Sequence, residues 1–190
     1  GRWILARLRE SAHVPLPSRR GLKSGDTIPY LGSQLEIVER HDGVGWQGVQ
    51  LEGNRLVIGV GPSGDGAPNW VVERWYRAQA LNIITEKADK QSAALGVRYC
   101  RITIRGQKTR WGSCSPKGSL SFNWKLLMAP EPVIDYVVVP ELAHLKELNH
   151  GRKFWQVVAE FCPRWREHKK WLRQHGPELA DGGKILNPKP

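Results

Sequence analysis

The sequence is short of several things that mark common protein classes. It has three cysteines in 190 residues, Cys100, Cys114 and Cys162, widely spaced and without a C-x-x-C pair. An odd, scattered set excludes a disulfide framework and a cysteine-built zinc site, and reads as three reduced thiols. No apolar run is long enough to cross a bilayer, so no membrane partner is expected. The opening Trp3-Ile4-Leu5-Ala6 patch is too short, and too interrupted by arginines, for a signal peptide. A cytoplasmic protein is the expectation, and the start at Gly1 reads as a trimmed terminus. The glycine-rich loop Gly61-Pro62-Ser63-Gly64-Asp65-Gly66 lacks a following Lys-Ser/Thr, which excludes a phosphate-cradling P-loop.

Acidic residues are also few, 18 against 29 lysines and arginines, for a net charge of +11. Such a surface attracts polyanions: nucleic acid, nucleotides or acidic proteins. Nine tryptophans stand against three phenylalanines. Several sit beside cations, as in Arg74-Trp75, Arg110-Trp111, Arg164-Trp165 and Lys170-Trp171, a pattern suited to stacking on nucleic acid. Tryptophans anchoring helix faces in a core give the same pattern. At 40% hydrophobic and 25% charged, the chain has enough apolar surface for one domain with a core and a small appended lobe.

Four segments follow along the chain. Residues 1–26, with Arg2, Arg7, Arg9, Arg19, Arg20 and Lys23, read as a basic arm. Residues 27–66 read as a small β lobe, a meander or hairpin, with strands at 34–39, 49–51 and 56–60 around the turn Glu52-Gly53-Asn54. Residues 67–176 carry an amphipathic helix from about Trp70 to Leu95, closed by Gly96. Strands at 98–105 and 119–124 come next, the second offering an edge to an extended substrate. Helices at 133–148, 153–161 and 164–174 complete this part, the last ending at Gly176. Residues 177–190, rich in Gly and Pro, read as a flexible tail.

One segment carries chemistry. In Pro140-Glu141-Leu142-Ala143-His144, a histidine at 140 would complete the H-E-x-x-H signature. Ligands four apart stand one turn apart on the same helix face and grip one zinc, with the glutamate between them placed to deprotonate a bound water. His150, six residues past His144, reaches the same metal only if the chain turns near Asn149 and Gly151, residue types that let a helix stop. His13 and His41 have no partners at ligand spacing. Lys108 and Arg110 lie in a second block, where a planar guanidinium suits an anionic or carbonyl group.

The string Tyr136-Val137-Val138-Val139-Pro140-Glu141-Leu142-Ala143-His144-Leu145, continued by Asn149-His150 and Phe154-Trp155, resembles the YgjP-like (WLM/SprT-related) metallopeptidase family. That family reads Y-V-V-x-H-E-L-x-H-L-x-x-x-N-H-x-x-x-F-W. The upstream block Lys108-Thr109-Arg110-Trp111-Gly112-Ser113-Cys114-Ser115, then Asn123-Trp124, matches as well, and the resemblance covers about residues 27–176. It implies an α+β, zincin-like metallopeptidase domain behind the small β lobe. It further implies zinc at the positions of Pro140, His144 and His150, with Glu141 as general base. Lys108, Arg110, Trp111 and Asn123 then stand as the substrate-binding set. Some family members are nucleoside triphosphate pyrophosphatases.

Proline cannot ligate zinc, and inside a helix it costs about 3 kcal/mol. The departure at 140 reads as a single-base change from histidine, as a pseudoenzyme, or as a rebuilt site using His168, His175, Glu147 or Cys114. Weak or absent zinc binding in this chain is expected. Three functions follow: a zinc-dependent metallohydrolase of peptidase type acting on a peptide, a metal-dependent nucleotide pyrophosphatase, and an inactive nucleic-acid- or protein-binding module.

Overall fold

A computed structural model describes residues 22–41, 48–60, 67–107 and 109–180. Most of the basic arm, Lys108 and residues 181–190 of the tail lie outside them. Strands β1 (Thr27–Tyr30) and β2 (Ser33–Arg40) form a hairpin. Its two turn residues, Leu31 and Gly32, both take positive φ, which matches the right-handed twist of the strands. A side chain at Gly32 would meet the Pro130 backbone at 3.3 Å, so the hairpin tip rests directly on the segment that opens a later helix. Strands β3 (Val49–Glu52) and β4 (Arg55–Gly59) form a second hairpin, with Gly53 at positive φ.

The order is β1-β2-β4-β3, with β2 and β4 parallel. This corrects the simple meander: two hairpins join edge to edge, pairing Ile37 with Leu56 and burying Leu35, Ile37, Leu56 and Ile58. The sheet has no core of its own. Ile28, Tyr30, Ile37 and Ile58 belong to one buried cluster with Tyr76, Trp124, Val133 and Leu142.

Helix α1 (Asn69–Leu95) buries Val72, Trp75, Tyr76, Ala80, Ile84, Ala88 and Leu95 at spacings of three and four. Gly96, at φ 66°, closes it in the left-handed conformation, as its sequence position predicted. A second sheet follows, made of β5 (Arg101–Arg105), β6 (Gly112–Cys114) and β7 (Ser119–Asn123), in the order β5-β7-β6. The edge expected at 119–124 is therefore absent, because β7 is the central strand with both sides paired. The edges are β5 and β6, and β6 has three residues, too few to show a period-two pattern.

A 3-10 turn (Trp124–Met128) leads to helix α2 (Glu131–Ala143), which buries Val133, Ile134, Val137, Val138, Val139, Leu142 and Ala143. Lys87 of α1 bridges to Glu131 and Asp135 of α2 at 3.1 and 3.2 Å. The predicted continuation to Leu148 fails. After Ala143 the hydrogen bonds tighten into turns, and Leu148 is 76% exposed. Helices α3 (Arg152–Phe161) and α4 (Trp165–Ala180) end the described chain.

Helix α4 passes through Gly176 and Pro177 rather than stopping there. Gly176 faces the Trp111 ring, Pro177 removes a single helical hydrogen bond, and buried Leu179 anchors the extra turn. The fold is thus α+β, with α2 at its centre, packed by α1, α3, α4 and β6. Among the described residues no helix is long and apolar enough to cross a membrane.

Candidate active site

The valines that bury α2 decide where its chemistry points. With Val137, Val138 and Val139 in the core, Glu141 turns toward the short strand β6. Pro140 sits inside the helix. It offers no N–H to the Tyr136 carbonyl, while its own carbonyl accepts the His144 N–H at 3.1 Å.

Glu141 is largely buried. The backbone N–H of Cys114 donates to its carboxylate, and the Arg110 guanidinium lies within electrostatic reach. Desolvation outweighs both, so the carboxyl is pushed up from 4.5 to about 7. The approach of β6 explains a glycine. A Cβ on Gly112 would come within 2.7 Å of Glu141 Oε1 and 2.8 Å of its Cγ. Only glycine lets a strand lie this close to the carboxylate.

The turn after Ala143 brings His150 back toward His144, as the Asn149-His150-Gly151 segment predicted. Their Nε2 atoms are 3.0 Å apart, and Phe154 of α3 lies against both rings, with centroids at 4.8 and 4.6 Å. The Nδ1 of His144 is 3.3 Å from the Glu147 carbonyl oxygen, a contact that suits an Nδ1–H tautomer and leaves Nε2 as a lone-pair donor. Burial holds the His144 imidazole below its ordinary pKa, which favours the neutral ring.

Two nitrogens bound to one tetrahedral zinc at 2.0–2.1 Å stand about 3.3 Å apart, so the pair has nearly the spacing of a metal half-site. The set stops at two. Among the described residues no three His, Cys, Asp or Glu side chains converge. His168 lines a separate cavity with Asp135 and Cys162, and His175 packs on Trp171. Glu147 contributes its carbonyl to His144, and the Cys114 thiol faces the Ser115 carbonyl. A catalytic zinc keeps three protein ligands, and the residues present do not supply them.

The upstream block divides. Arg110 is exposed beside Glu141. Trp111 is half-buried against Gly176 of α4, and its carbonyl accepts the Asn123 N–H. Asn123 is only 2% exposed, and its amide is committed to the backbone. Its Nδ2 donates to the Gln107 carbonyl at 2.7 Å and to that of Arg110 at 3.5 Å, while its Oδ1 accepts the Lys125 N–H at 3.2 Å. It ties Gln107 and Arg110 to the end of β7. The sequence motifs contain Gly112, Cys114 and Phe154, but their roles, making room for Glu141, donating to it and packing on the two histidines, escaped the sequence reading. Gly112 was visible as a residue type, but its partner lies on a helix far along the chain.

The family model for the YgjP-like metallopeptidase domain matches residues 1–175. The UTP pyrophosphatase of Escherichia coli (strain K12) is 40% identical over 50 residues, which is 24% of this chain and 30% of that protein's length. Two solved metallopeptidase zymogens are similar in structure. Abylysin of Pyrococcus abyssi has a TM-score of 0.44 at 23% identity, covering 48% of this chain and 93% of its own. Jannalysin of Methanocaldococcus jannaschii has 0.44 at 22%, covering 48% and 94%.

Proposed function

The chain belongs to the YgjP-like metallopeptidase domain family, and from that premise we propose that it is a hydrolase of metallopeptidase type whose reacting carboxylate is Glu141. The observation that carries this reading is the buried Glu141 carboxylate held against the outer edge of β6. At a pKa of about 7, Glu141 accepts a proton from an attacking water and returns it to a leaving amine without a large penalty either way.

A peptide has a matching place to bind. Trp111 and Ser115 share hydrogen bonds with the β7 side, so the backbone groups of Gly112 and Cys114 face away from β7; the Cys114 N–H is taken by Glu141, which leaves the Gly112 groups and the Cys114 carbonyl for a peptide. An extended peptide added at this edge would run past Glu141. The family motif implies zinc, but His144 and His150 are one donor short. With Pro140 in place of a donor, weak or absent zinc binding is expected of this chain.

A second reading uses the same carboxylate on a nucleoside triphosphate. The 50-residue match to a UTP pyrophosphatase and the position of Arg110 beside Glu141 support it.

Pro140→His tests the assignment. The variant is expected to hold close to one zinc per chain, measured by mass spectrometry, and to hydrolyse casein or release pyrophosphate from UTP faster than the parent. Whichever activity appears identifies the substrate class, and Glu141→Gln in the same background should abolish it. A Pro140→His protein that takes up no more metal than the parent removes His144 and His150 as ligands.

A further inference from the structure

Between the 109–111 segment and α4 lies a cavity of about 290 Å³, which shares Arg110 with the surroundings of Glu141. Its lining is one-sided in charge. Arg110 comes from the loop and Arg173 from α4, Thr109 adds a hydroxyl, and among the described residues no carboxylate lines it. Gly176 and Trp111 also line it, packed so closely that a Cβ on the glycine would touch the indole at 3.4 Å. Arg173 is exposed and has no ion-pair partner among the described residues. The arrangement is positioned as well as charged, because buried Asn123 pins the loop through the Arg110 carbonyl.

One feature opposes an anion here. The cavity touches Ala180, at the C-terminal and therefore negative end of α4. The Lys125 ammonium donates to the Ala180 carbonyl and offsets that end. Two guanidiniums then dominate, and each can grip an oxyanion with two parallel N–H donors. The volume, room for roughly ten waters, suits one small anionic group rather than a whole nucleotide or peptide.

We propose that this cavity is an oxyanion subsite, in which Arg110 and Arg173 seat a phosphate or carboxylate group of the substrate while its scissile bond lies at Glu141. The assignment of the anion to a substrate rests on the hydrolase reading; the anion site itself does not. Arg173 is then a specificity residue. It joins the site from a helix that the motif does not include.

Binding without turnover tests this. Pyrophosphate, acetyl-glycine and acetyl-glycinamide are titrated into the intact chain and followed by calorimetry and by the arginine side-chain NMR signals. Pyrophosphate or acetyl-glycine is expected to bind, and the uncharged amide is not. Arg173→Gln and Arg110→Gln should each weaken binding by about tenfold or more. The charge-matched control Arg101→Gln, at an exposed position of β5, should leave it unchanged. Circular dichroism checks that each variant is folded.

A response to pyrophosphate alone assigns the phosphate, a response to acetyl-glycine alone assigns a terminal carboxylate, and both together support a general oxyanion site. Absence of binding at about 10 mM, equal binding by Arg173→Gln and parent, or equal loss in Arg101→Gln overturns the proposal. Should Glu141→Gln leave hydrolysis intact while the arginine variants lose binding, the catalytic reading fails and the subsite stands.

Discussion

Glu141→Gln should make this protein more stable, by an amount that depends on pH. The folded protein holds the Glu141 proton more tightly than the unfolded chain, with a pKa of about 7 against an ordinary 4.5. Below pH 4.5 the group is protonated in both states and costs nothing. Between 4.5 and 7 the unfolded chain releases a proton that the folded state keeps, so stability falls as pH rises. Above 7 the carboxylate is charged in both states, and the full cost of burying it, about 3 kcal/mol, is present.

Glutamine has nearly the same shape, and its side-chain oxygen still accepts the Cys114 N–H. It carries no charge to desolvate. The variant should therefore exceed the parent by about 3 kcal/mol at pH 8, or about 6–12 °C in melting temperature for a chain of this size. The gap should close toward pH 4.5. Scanning calorimetry or denaturant melts at half-unit pH steps measure it directly. A difference that stays flat from pH 5 to 9, or a variant less stable than the parent at pH 8, would refute the claim that burial controls this carboxyl. The same substitution should remove hydrolysis, so stability and activity move in opposite directions, as expected where a charge is kept buried for its chemistry.

Two further substitutions probe the support around Glu141. Gly112→Ala places a Cβ at 2.7 Å from Oε1; it should cost about 1–3 kcal/mol, seen as a lower urea midpoint, and cut turnover measured in the Pro140→His background by displacing the carboxylate. Asn123→Ala removes the side chain that ties Gln107, Arg110 and Lys125 together. It should cost about 2–3 kcal/mol in urea melts and weaken pyrophosphate binding through the loosened Arg110 loop.

Much of this was legible along the chain because it depends on local periodicity or on residue chemistry. The spacing of Val72, Trp75, Tyr76 and Ala80 with Gly96 marked α1 nearly to the residue. Glu141 and His144 shared a helix by spacing alone, and Asn149-Gly151 announced the turn that returns His150. Pro140 needed no structure either, since a proline side chain has no lone pair to give a metal.

What tertiary structure decided are relations between segments distant in sequence, which no local pattern encodes. Strand β6 is too short to read, yet its approach explains why position 112 is glycine and why Glu141 titrates near neutrality. Helix α2 stops at Ala143 although the apolar pattern runs on. Helix α4 continues through Gly176 and Pro177 because Trp111 packs there and Leu179 is buried, and it carries Arg173 to the same cavity as Arg110. The sequence alone determined which groups could react and that a metal donor is missing. Packing determined how those groups are solvated, what charge they meet and which distant arginine joins them, because desolvation and Coulomb attraction depend on proximity in space.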